Sequence, residues 1–111
     1  MPYTREGIMS QVCVAFGQGT GEVRVAQDAC TALYDRYSRM ITDEVLANWG
    51  EQAVQVLERI RVLGRMVAAQ TSLAGKSVIS ADQVTTAAAQ VEFNSDTYIC
   101  GSPLKGQAVS P

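Results

Sequence analysis

Three cysteines, one acid pair, a glycine-rich stretch and a run of arginines are the features of this 111-residue chain whose types and spacing could do chemistry. Histidine is absent, which removes the usual general base, the Ser-His-Asp arrangement and the commonest metal ligand. Cys13, Cys30 and Cys100 show no C-x-x-C spacing, and an odd, widely spaced set argues against a structural zinc site. None has a cationic neighbour in sequence that would depress its pKa and make it a nucleophile. They read as reduced, buried thiols packing as small hydrophobes. Asp43 and Glu44 stand where a helix starts, and there the helix dipole accounts for acids without catalysis. The chain therefore reads as not an enzyme, with no catalytic, cofactor-binding or metal-binding residues.

The stretch FGQGTGE, residues 16–22, imitates a phosphate loop, since an apolar run precedes it and a helix pattern follows. The spacing is not G-x-G-x-x-G, Glu22 would set a negative charge beside a phosphate, and no Lys-Ser/Thr pair follows. Gly17, Gly19 and Gly21 read instead as a linker that ends the first helix. Arg59, Arg61, Arg65 and Lys76 are the candidate contacts to phosphate or to an acidic partner. Arg61 and Arg65 lie one turn apart on one face, with Arg59 pointing elsewhere, about 160° away from Arg61. The alternative is a solvated face on which Glu58 is their partner. Trp49, the single tryptophan, either fills a corner between helices or stands out as an anchor for a partner chain.

The elements that must position these residues are helical. Thr4 is a candidate cap for a helix over 3–16, with Ile8, Val12, Cys13 and Phe16 at helical spacing. Val23, Ala26, Cys30, Leu33, Tyr37 and Met40 form one stripe of a long helix over 22–47. Thr42 and Asp43 mark a candidate break in it, and Asn48, Trp49 and Gly50 mark another. Val56, Ile60, Leu63 and Val67 make a heptad-like seam in a second long helix over 51–74. Gly64 interrupts that helix and implies close approach of another. Ser80 and Gln83 form a capping box for a short helix over 80–92. No internal repeat is visible. Residues 1–93 read as one helical domain and 94–111 as an extended tail that packs on its own chain or a neighbour.

A net charge of −2 gives no general attraction to nucleic acid, and mean hydropathy is near zero at +0.03. The charges are unevenly placed: Arg59, Arg61, Arg65 and Lys76 face Glu58 alone between Val54 and Ile79, while Asp82, Glu92 and Asp96 follow without a base before residue 100. No charged start followed by an apolar run suggests a signal peptide, and no apolar run reaches the ~20 residues that span a bilayer. The expectation is a cytoplasmic protein with no membrane partner.

AGKSVISADQV, residues 74–84, resembles the junction between the central and last helices of histone-fold proteins. Lys76, Ile79, Ser80, Asp82 and Val84 match that family in kind and spacing, and the resemblance extends over about residues 42–92. It implies a bridge strand at Val78–Ile79 that pairs with a loop of a partner subunit, a dimer as the folding unit, and contact with nucleic acid through the arginine-bearing helix. The same residues also read as the helix stop and capping box of any helical bundle. The fold expected is all-α: a small bundle on two long antiparallel helices, with an N-terminal helix, a short C-terminal helix and the tail. The function expected is a non-catalytic assembly subunit, forming a homo-oligomer or joining other subunits through the tail and an apolar seam of Leu33, Tyr37, Val56, Ile60, Leu63 and Val67. A nucleic-acid-binding histone-like dimer is the alternative.

Overall fold

A computed structural model describes residues 3–94, and the expected tail lies outside the described residues. Four helices dominate, so the chain is mostly helical: α1 is Arg5–Thr20, α2 Gln27–Ser38, α3 Asp43–Leu73 and α4 Ala81–Asn94. Two short strands, β1 (Arg24–Val25) and β2 (Val78–Ile79), sit between α1 and α2 and between α3 and α4.

Local chemistry sets most of the boundaries. Thr4 Oγ1 accepts the Gly7 amide at 3.0 Å and starts α1, as the sequence implies. Thr42 Oγ1 accepts the Val45 amide at 3.3 Å and starts α3, with Asp43 and Glu44 in its first turn. The α2–α3 break is held from outside, because the Arg5 guanidinium donates twice to the Ile41 carbonyl, at 3.0 and 2.8 Å. At the end of α3, the Lys76 amide donates to the Thr71 carbonyl and the Gly75 amide to that of Ser72, a complete Schellman closure with Gly75 at φ 76°. Gln83 Oε1 then reaches back to the Ser80 amide at 2.9 Å, the expected arm of the capping box.

Three helix expectations need correction. The stretch 22–47 is not one long helix: it holds β1, α2, the break and the start of α3. Asn48, Trp49 and Gly50 break nothing, since α3 runs through them for 31 residues. Gly17 and Gly19 lie inside α1, which stops only at Gly21, where φ is 62°.

The reason for Gly19 is packing. A Cβ there would clash with the Arg61 carbonyl, and one on Gly64 would come within 2.5 Å of the Phe16 carbonyl. The close approach inferred at Gly64 is thus that of α1, whose own glycine meets it. Contacts between the helices advance in the same direction, from Gln11–Trp49 to Gln18–Arg61. α1 is therefore the chief neighbour of α3, and α4 that of α2. An antiparallel pair of long helices is not the basis of the fold.

The architecture is two helix–strand–helix halves, α1–β1–α2 and α3–β2–α4, whose strands pair in parallel with Arg24 opposite Val78 and Val25 opposite Ile79. This exposes an internal repeat. GEVRVAQD, residues 21–28, and GKSVISAD, residues 75–82, share a glycine, an aliphatic four positions on and an aspartate three beyond it. In each copy the glycine has positive φ, the aliphatic is the second strand residue and the aspartate lies in the first turn of the next helix. The bridge expected to meet another chain meets its own repeat, and the Ala26 amide extends the pairing to the Ile79 carbonyl at 2.9 Å. Ile79 is buried while Val78 faces outward. The core between the halves is mostly aliphatic, with Ile8, Met9, Val12, Leu33, Ile41, Ile60, Leu63 and Val84 among its members, and Phe16, Tyr37 and Trp49 are buried with them.

Gly19→Ala and Gly64→Ala should each destabilise the fold by at least ~1–3 kcal/mol, because backbone rather than a flexible side chain blocks the new methyl. Gly17→Ala, in open space within the same helix, should stabilise it by ~0.5–1 kcal/mol. Urea or thermal melts of the three variants check the contrast.

Candidate interaction site

The residues of the expected oligomer seam lie in the interior. Leu33, Tyr37, Val56, Ile60, Leu63 and Val67 are all buried within the single chain, so in this conformation a second chain would have to meet other side chains. Trp49 is only 1% exposed. Its indole N–H donates to Gln11 Oε1 at 3.3 Å, so it fills the corner between α1 and α3 and does not stand out as an anchor.

What α3 presents to solvent is the opposite face. The described residues form a slab of 40 × 37 × 20 Å, about two helices thick. Turning 100° per residue, the buried positions of α3, among them Val45, Val56, Ile60, Leu63 and Val67, cover one side. Val54, Glu58, Val62, Arg65, Ala69 and Leu73 fall on the other, within an arc of about 100° and over about 30 Å of helix. Three of these are large aliphatics left outside: Val54 is 80% exposed, Leu73 87% and Val62 43%. The heptad pattern of the inner face masked this outer row, although its spacing of threes and fours was legible.

The arginines expected to contact phosphate or an acidic partner are divided. Arg61 donates to Glu58 Oε1 at 2.8 Å and to Gln18 Oε1 at 2.9 Å, linking α3 to α1. Arg65 reaches Glu58 Oε2 at 3.4 Å. Glu58 is thus a shared partner, and its hydrogen bonds from Arg61 first and Arg65 second hold its carboxyl below the usual glutamate range. Arg59 is half-buried on another side of α3, about 120° from Arg65 by helix geometry, and Lys76 is exposed past the end of α3. The structure therefore gathers Arg61 and Arg65 around Glu58.

Two shallow clefts open on the surface, the first beside Arg61. One, about 220 Å³, lies between α1 and α3 and includes Val14, Gln18, Leu57 and Arg61. The other, about 400 Å³, lies beside the end of α2 and includes Asp35, Arg36, Arg39 and Thr85. Cys13 and Cys30 are exposed, not buried as the sequence suggests, and Cys100 lies outside the described residues. The Cys13 thiol is nevertheless pushed up, first by partial desolvation and then by the Cys30 thiol nearby, which favours its protonated, unreactive form. Among the described residues no cluster of three or more Cys, Asp or Glu could hold a metal ion, and no helix is long and apolar enough to cross a membrane.

No protein-family model matches the chain, and neither a curated protein nor a solved structure matches it.

The shared ion pair has a readable pH signature. Because the folded pKa of Glu58 is depressed, its pairing stabilises the fold above the ordinary glutamate pKa, and that contribution is lost as pH falls through the lowered value. The carboxyl resonance of Glu58 should titrate below an ordinary glutamate, and Arg61→Gln should move it back upward more than Arg65→Gln does.

Proposed function

We propose that this chain is a non-catalytic subunit that oligomerises, with itself or within a larger assembly, through a helix face. The observation that carries this reading is the outer row of α3, where Val54, Val62 and Leu73 remain in water although the core beneath is complete. Single exposed aliphatics are ordinary, whereas a row of them along one helix marks a contact surface. The surface differs from the seam expected from sequence, whose residues are already occupied.

A second reading is a histone-fold-like protein that contacts nucleic acid through Arg59, Arg61, Arg65 and Lys76. It is favoured by one observation: residues 59–76 carry these four bases and no acid. The hold of Glu58 on Arg61 and Arg65 weighs against it, as does a net charge of −2.

Native mass spectrometry or light scattering across a salt series separates the two. An assembly held by apolar side chains should persist or tighten as salt rises, while binding to a DNA or RNA duplex should weaken steeply. A monomer at every salt concentration that binds no polymer would contradict both readings.

A further inference from the structure

The charges of α3 and the turn after it are sorted along the chain. Asp43, Glu44, Glu51 and Glu58 come first, without a base among them; Arg59, Arg61, Arg65 and Lys76 follow, without an acid. For one helix this order suits the macrodipole, since acids favour the N-terminal end and bases the C-terminal end. The dipole effect is confined to the terminal turns, however, and Glu58 and Arg59 lie in the middle of α3. The sorting also places an acidic half and a basic half on a helix whose outer face carries unpartnered aliphatics.

We infer that the occupant of this face is a second copy of the same chain, its α3 laid antiparallel on the first about a twofold axis near residues 63 and 64. This rests on the self-assembling reading above and specifies its surface. The outer row is symmetric under such a rotation. Val54, Glu58 and Val62 on one side of the axis fall opposite Leu73, Ala69 and Arg65 of the second copy, and Glu51 lies at the end where the turn carrying its Lys76 follows Leu73. The two most exposed aliphatics of the row, Val54 and Leu73, therefore cover each other at both ends. Arg65 lays its aliphatic stem over Val62 of the second copy, and its guanidinium reaches that copy's Glu58 one turn away. A twofold contact of this kind is isologous, so each pairing occurs twice. Parallel stacking would instead set acid on acid and base on base.

Sedimentation velocity over a concentration series, with helical content followed by circular dichroism, tests this. Wild-type chain should show a dimer that dissociates on dilution. Val54→Glu and Leu73→Glu, both at exposed positions, should keep native helicity and weaken the dimer by about tenfold or more. Glu51→Lys should weaken it through like charges at both ends, and adding Lys76→Glu should restore it, as complementary charges return. A wild-type dimer that survives both glutamate variants unchanged would overturn this surface while leaving self-assembly standing. A strictly monomeric wild type would overturn both.

Discussion

The meeting of Gly19 with Gly64 is the constraint on which the rest of the fold depends. Backbone touches backbone where α1 crosses α3, and any side chain at either position would drive the helices apart. That closeness lets mostly aliphatic side chains, with Phe16, Tyr37 and Trp49 among them, fill the core of a chain with few aromatics. It also packs the last turn of α1 on the middle of α3, and the strands that follow the two helices pair in parallel register. Gly21 and Gly75, both at positive φ, end the two helices just before the strands. The second helices, α2 and α4, follow as neighbours because the first helices already are.

Much of this was legible where the signal is local. Thr4, Thr42, Gly75 and the Ser80–Gln83 pair announce helix ends through hydrogen bonds that need only neighbouring residues. The errors came where tertiary contact overrides local preference. Gly17 and Gly19 resemble a loop in sequence, but α3 holds α1 helical past them. The stripe from Val23 to Met40 spans a two-residue strand and a helix, because alternation over so few residues imitates helical spacing. The repeat is faint in sequence because its copies share only a glycine, an aliphatic and an aspartate, and the helices that precede them differ in length by 15 residues (16 against 31). Only the in-register pairing of Val25 with Ile79 made it visible.

The same override moved the candidate site. A heptad seam in sequence can serve a partner chain or the protein's own core, and nothing local distinguishes the two. Here α1 supplies the partner from within, so Val56, Ile60 and Leu63 are covered. What remains outside is the opposite face of α3, where aliphatics and sorted charges coexist. The arginines that suggest phosphate contact in sequence share a carboxylate in space, which lowers their reach toward an external anion. The bridge that resembles a dimerisation strand is completed by the chain itself, so an assembly built from this protein starts from a folded unit.

That closure of the bridge within one chain is the central claim, and isotope-filtered nuclear Overhauser spectroscopy on a refolded mixture of labelled and unlabelled chains tests it directly. Contacts between the backbones of residues 24–26 and 78–79 should arise only within a chain and persist on dilution. Contacts crossing from a labelled to an unlabelled chain at these positions would show the bridge to be shared between subunits and would contradict the account.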